Sequence, residues 1–232
     1  GYTDDRIILI VEDDIADNVS NPNKGVIQVT IGGNNVYENV EIDYRMSSLK
    51  AKDILAILNG EKSETLPTVI ESTENDNLFV FWSGHGVPGA MCWDEEPYAM
   101  TGDDLSTVFK DMNLKRRYRK LLMMVEACFS GGVMEQCEGI PGMLFITAAN
   151  GDETSKADVF NGEMKVWMSN RFTSTFIEQI TDNKDVAMRD LYYRLFINTV
   201  GSHVMVYNAE NYGNLYSVNM SEFINFKNDK SK

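Results

Sequence analysis

The sequence predicts an α/β protein built on a mostly parallel sheet, and three observations predict it. Leu78-Phe79-Val80-Phe81-Trp82, Leu121-Leu122-Met123-Met124-Val125 and the stretch from Gly142 to Ala149 are apolar runs without polar alternation, the pattern of strands covered on both faces. Segments with helical spacing alternate with such runs along the chain, as in sheets wrapped by helices on both sides. The first two runs also end alike, on a reactive side chain set among small residues: Ser83-Gly84-His85-Gly86 and Glu126-Ala127-Cys128-Phe129-Ser130-Gly131-Gly132.

Taken in order, Arg6 to Glu12 reads as a further buried strand closing on Asp13-Asp14. That acidic pair is expected to cap or solvate a loop, because no other carboxylates cluster with it to hold a metal. Val26 to Ile31 and Val36 to Val40 alternate around Gly32-Gly33-Asn34-Asn35, which predicts a small β-hairpin outside the main sheet. Ala51 to Leu58 carries helical spacing and stops at Asn59-Gly60, a suitable helix end. Glu61 to Asn77 is polar and turn-rich, a surface loop. A helix is predicted from Thr101-Gly102-Asp103-Asp104 to about Met112, followed by the basic run Lys115-Arg116-Arg117-Tyr118-Arg119-Lys120, which reads as a solvated turn into the next strand. Beyond Asn150-Gly151 a polar loop leads to Val166-Trp167-Met168-Ser169, then helices near Asn170 to Ile180 and Val186 to Thr199. A last strand follows at Ser202 to Tyr207. His203 lacks flanking glycines and reads as structural.

A chain of 232 residues can bury a substantial core, and 1–232 reads as one large domain. Lys and Arg number 21 against 35 Asp and Glu, a net charge of −14. That excludes nucleic acid as a partner, since phosphate binding needs a basic face. No run of about 18 apolar residues is present, so no membrane span is expected. The chain opens without a basic and then apolar leader, so any signal peptide is expected to have been removed. The 13 methionines are scattered and read as core filler. Of the three cysteines, Cys92 and Cys137 either pair or remain thiols, and a pair would leave Cys128 over.

If the runs at 78–82 and 121–125 are neighbouring parallel strands, His85 and Cys128 meet at the carboxyl edge of one sheet. Ligand crevices of α/β sheets lie there. Each residue alone has an ordinary structural reading, a loop histidine or a small buried hydrophobe. In matching positions they point to a His/Cys pair for nucleophilic catalysis. The glycines around them allow tight turns and close approach of a substrate backbone.

Further motifs stand in order along the chain: Asp13-Asp14-Ile15-Ala16 followed by Asn21-Pro22, Val36-Tyr37, Asp43-Tyr44, Leu55 to Gly60, His85-Gly86, Glu126-Ala127-Cys128 with Ser130-Gly131, Thr147-Ala148-Ala149-Asn150, and Ser202-His203-Val204-Met205. Through them the chain resembles the legumain family of cysteine peptidases, the asparaginyl endopeptidases, whose relatives include the catalytic subunit of the GPI transamidase and, more distantly, caspases. The resemblance runs from about Gly1 to Phe226.

It implies a caspase-like three-layer α/β/α sandwich and peptide hydrolysis through a Cys128 acyl-enzyme, with His85 as acid/base and the N–H groups of Gly86 and Cys128 as the oxyanion hole. It places Glu126, Thr154, Ser155, Val166 and Trp167 around the pocket for the residue before the cut (P1). Val166 stands where the family has a second acid, ahead of the tryptophan that matches Trp167. The implied P1 residue is Asn, with Lys or Arg as the alternative. The implied partner is a peptide or protein substrate, with no metal and no organic cofactor. An amine in place of water would make the same acyl-enzyme a transamidase, and a binding module on this fold is disfavoured by the intact His85 and Cys128. The family also has a first strand and helix ahead of the segment matching Arg6 to Glu12, so a cleaved N-terminal segment or a second chain is expected to complete the sheet. The implied setting is secreted, periplasmic or vesicular/lysosomal, with activation by proteolysis.

Overall fold

Four strands form the central sheet in the computed structural model, which describes residues 2–93, 96–183 and 185–224. Gly1 and Phe226, the ends of the family resemblance, lie outside the described residues. In chain order, β1 (Ile10–Val11) pairs in parallel with β2 (Tyr44–Arg45), apart from the main sheet. Then come α1 (Ala51–Leu58), β3 (Asn77–Ser83), a three-stranded antiparallel meander of β4 (Gly86–Val87), β5 (Ala90–Trp93) and β6 (Glu96–Thr101), α2 (Gly102–Leu114), β7 (Lys120–Glu126), α3 (Ser130–Met134) and β8 (Met143–Thr147). The antiparallel hairpin β9 (Ala157–Asn161) and β10 (Val166–Asn170) follows, then α4 (Arg171–Asp182), α5 (Met188–Asn198), β11 (Met205–Tyr207) and α6 (Ala209–Tyr212).

The sheet order is β11-β8-β7-β3. Strands β3, β7 and β8 are parallel, and β11 closes one edge antiparallel to β8. Side chains alternate across a strand, and here both faces are apolar because both are covered. Leu121, Met123, Val125, Met143 and Phe145 face a core completed by Ile54 and Ile57 of α1, Leu105, Phe109 and Met112 of α2, and Val133 of α3. Leu122, Met124, Leu144 and Ile146 face a second core with Phe172 and Phe176 of α4, Leu191 and Leu195 of α5, and Tyr212 of α6. The predicted mostly parallel α/β sheet wrapped on both sides is the architecture found, with the caspase-like layering of helices, sheet and helices.

Local signals act as expected at two helix ends. Thr101 caps α2: its Oγ1 accepts from Asp104 N at 3.2 Å, and the Asp104 carboxylate accepts from Thr101 N at 2.9 Å. Asn59 closes α1, and Gly60 takes φ +70° immediately after it. The basic run is a turn leading into β7, in which Lys115 pairs with Asp111, Arg116 with Glu74 and Arg119 with Glu222.

Two expectations are corrected. The strand predicted over Arg6 to Glu12 shrinks to Ile10–Val11, since it pairs only with the two residues of β2. The hairpin predicted over 26–40 does not form a ladder: Val36 N donates to Ile27 O at 2.9 Å and the Asn35 side chain bridges back to Ile27 N, but Ile31 and Val36 remain exposed. A two-stranded ribbon with no face to bury is marginal in water. The sheets found outside the main one are the β1–β2 pair, the β4–β5–β6 meander and the β9–β10 hairpin, whose short strands give little periodic signal. Of the two alternatives left open for Cys92 and Cys137, the unpaired one is found: all three cysteines are free. Cys137 is fully buried, with its thiol directed at the carbonyls of Val133 and Gly102, and burial pushes its pKa up to about 12.

Phe145 tests the first core. It is fully buried, with its ring centroid 5.6 Å from that of Phe109. Phe145→Ala is expected to lower unfolding free energy by about 3–5 kcal/mol, the usual cost of removing a buried aromatic, measured by chemical denaturation.

Candidate active site

The register of β3 against β7 positions the site. Ser83 lies opposite Glu126, and Gly84 N donates to Glu126 O at 3.0 Å, so the two chains leave the sheet at the same level. His85 and Cys128 each follow two residues beyond that pair. Gly86 then packs on the second turn so closely that a Cβ there would overlap the Cys128 carbonyl oxygen. Only glycine fits such an approach.

Backbone donors converge on the same place. His85 O accepts from Cys92 N at 3.0 Å across β4 and β5. That bond leaves Gly86 and Met91 a non-hydrogen-bonded pair, so the Gly86 N–H is turned away from β5. The Cys128 N–H has no hydrogen-bond partner among the described residues. Cys128 is half-buried and His85 exposed. Cys92 lies half-buried beside them. Its thiol pKa is raised by burial and then by the nearness of Cys128.

Below the thiol, Glu126 is 1% exposed at the end of β7. Its Oε2 accepts from Thr173 N at 3.1 Å and Thr173 Oγ1 at 3.2 Å, both in the first turn of α4. Its Oε1 makes no hydrogen bond of good geometry among the described residues, although the Ser155 hydroxyl lies close enough to favour the charged form. Burial raises the Glu126 pKa above the usual carboxylate range, against those donors. Ser155 Oγ is also 4.0 Å from Cys128 Sγ, so Ser155 faces both the thiol and the acid.

The structure therefore gathers His85, Gly86, Cys128, Glu126 and Ser155. Thr154 is instead exposed, with its hydroxyl accepting from Lys156 Nζ at 2.8 Å. Val166 and Trp167 stand exposed on β10, Trp167 with its ring 5.1 Å from that of Phe160, and neither is bonded to the Cys128 cluster. Two residues escaped the sequence reading. Thr173 holds Glu126, and the backbone carbonyl of Glu153 accepts from Phe129 N at 2.8 Å, next to the nucleophile candidate. A hydroxyl and an N–H in the first turn of a helix suit a carboxylate, but nothing local says which carboxylate they meet. The other acidic candidate, Asp13, accepts from Tyr37 Oη at 2.6 Å and Arg45 Nε at 2.7 Å and so fastens a loop.

A thiol and an imidazole on adjoining turns beyond parallel strands, in a sheet layered between helices, is the arrangement of cysteine-type peptidases on the caspase-like fold. The chain belongs to the peptidase C13 family, whose profile matches residues 1–223. It is 29% identical to legumain of Rattus norvegicus over 214 residues, covering 89% of this chain and 48% of that protein. Legumain of Homo sapiens is 28% identical over the same share of the chain. The vacuolar-processing enzyme of Vicia sativa is 35% identical over 161 residues, 67% of this chain and 32% of that protein. The chain thus spans about half the length of the legumains it matches.

Proposed function

We propose that this chain carries a cysteine endopeptidase that cleaves after Asn through a Cys128 acyl-enzyme. The observation that carries the reading is the seating of Gly86 on the Cys128 carbonyl, which holds the His85 turn against the thiol turn. Cys128 Sγ attacks the scissile carbonyl, and His85 delivers a proton to the leaving amine. The Gly86 and Cys128 N–H groups, unused by the ladder, receive the oxyanion where charge develops. Water then releases the acid.

Glu126, with Ser155 beside it, forms the acidic end of the P1 pocket. A carboxyl with a raised pKa takes up its proton over a pH range above that of an ordinary carboxylate, and the neutral form can both donate to and accept from a side-chain amide. An Asn substrate therefore gains as pH falls through that range, whereas a Lys or Arg substrate loses its counter-charge. This fits a vesicular, lysosome-like setting, and among the described residues no helix is long and apolar enough to cross a membrane. The second edge of β3 has no strand neighbour among the described residues, although Leu78, Val80 and Trp82 pack against the first core. A strand from an N-terminal segment or another chain would cover it, with processing near the N-terminus as the activating step.

A P1-varied peptide library, run across pH and with hydroxylamine as competing amine, tests the reading. Cleavage after Asn is expected, hydrolysed more than amine-capped, with an acid-side gain that Glu126→Gln flattens because its amide does not titrate. Cleavage confined to Lys or Arg would overturn the Asn assignment, and mainly amine-capped product would make the protein a transamidase.

A further inference from the structure

Phe129, the residue after Cys128, has φ 56°. A residue with a Cβ keeps that left-handed conformation only where its surroundings hold it. Two backbone hydrogen bonds hold it: Gly132 N donates to Phe129 O at 3.1 Å within the turn, and Phe129 N donates to Glu153 O at 2.8 Å outside it. Glu153 is itself fixed at its side chain: Oε1 accepts from Asn150 N at 3.1 Å and from His203 N at 2.7 Å, while Oε2 pairs with His203 Nδ1 at 2.9 Å. Burial works to raise the Glu153 pKa, but the His203 ring, the His203 N–H and the Asn150 N–H together hold the carboxyl below its ordinary range.

One residue thus ties three distant pieces of chain: the thiol turn, the loop leaving β8, and the approach to β11. Its backbone reaches the residue after the nucleophile, and two positions on, Ser155 Oγ stands 4.0 Å from Cys128 Sγ. The far end is anchored as well, with Ser202 Oγ donating to Ala148 O at 2.6 Å inside the protein.

We propose that Glu153 is a positioning residue for the reaction at Cys128, clamped by His203, and that it sets the Phe129 turn relative to the thiol. The proposal rests on Cys128 being the nucleophile. Glu153 touches neither the thiol nor His85 and acts through the peptide it holds. Its side chain and that of His203 therefore govern turnover more than substrate capture, because misplacing the reacting thiol penalises the transition state and leaves ground-state contacts in place.

The test compares Glu153→Ala, Glu153→Gln and His203→Ala in the full chain, with kcat and KM on a cleavable peptide and a thermal melt for each. Glu153→Ala is expected to lower kcat by roughly 30-fold with KM within about twofold, an effect of the size that small misplacement produces. Glu153→Gln keeps an acceptor for Asn150 N and His203 N and should recover to within about threefold of the wild type. His203→Ala, which keeps the Phe129 bond and both N–H donors to Oε1 and removes only the imidazole from Oε2, should fall between them. A folded Glu153→Ala with wild-type kcat, or a Glu153→Gln as impaired as Glu153→Ala, would overturn the proposal. Should Glu153→Ala fail to fold, His203→Ala decides, because its side chain is 68% exposed: a folded His203→Ala with unchanged kcat rejects the clamp. A Cys128→Ala control run alongside separates the two ideas. Activity surviving in that control overturns the nucleophile reading, whereas Cys128-dependent activity indifferent to Glu153 and His203 overturns the clamp alone.

Discussion

Cys128→Ala is expected to lower kcat/KM for peptide cleavage by at least about 1,000-fold, because without the thiol no acyl-enzyme can form and only binding and the backbone donors remain. His85→Ala should lose roughly 100- to 10,000-fold, the usual worth of a positioned acid/base. Neither change should unfold the protein, since Cys128 is half-buried and His85 exposed, both beyond the strand ends. Thermal melts alongside steady-state kinetics check this. Either variant keeping more than about a tenth of wild-type turnover would be incompatible with effects of that size.

Gly86→Ala should produce the next largest loss, about 100-fold in kcat, without removing any functional group. Its Cβ would overlap the Cys128 carbonyl oxygen, so the His85 turn must move away from the thiol turn. That displaces the imidazole and the Gly86 N–H together, and displacement of about 1 Å suffices for such a penalty. Gly84 is the internal control. A Cβ there would meet only Trp82 Nε1, at 3.4 Å, which is ordinary contact. Gly84→Ala should stay within about threefold of the wild type, because nothing is displaced. Equal losses in the two variants would show that the turn tolerates no side chain anywhere and that the Gly86 approach is not special.

Much of the fold was legible because burial on both faces leaves no polar positions along a strand. That demand is written at every residue of Leu121 to Val125, and all five are fully buried. That the His85 and Cys128 turns adjoin was legible for the same reason: two such strands in parallel, each ending two residues before a reactive side chain, leave few other arrangements. The 26–40 segment failed the same reasoning. Alternation and a Gly/Asn turn satisfy the local rule for a hairpin, but Ile31 is 66% exposed, and a ribbon without a face to bury gains nothing from its ladder.

The sequence by itself determined the three parallel core strands, the ends of α1 and α2, the His85 and Cys128 turns and the family to which they belong. Each of these is a local pattern or a string of local patterns. Only the tertiary structure decided which groups answer one another. Glu126 finds Thr173 across 47 residues, and Glu153 finds His203 across 50. Cys137 goes into the core, while Cys92 comes to lie by the thiol of Cys128. A residue's type states that its polar atoms must be satisfied, or its apolar surface covered, when buried. Which partner does so depends on how distant segments pack, and that information is held by the whole chain and not by any stretch of it.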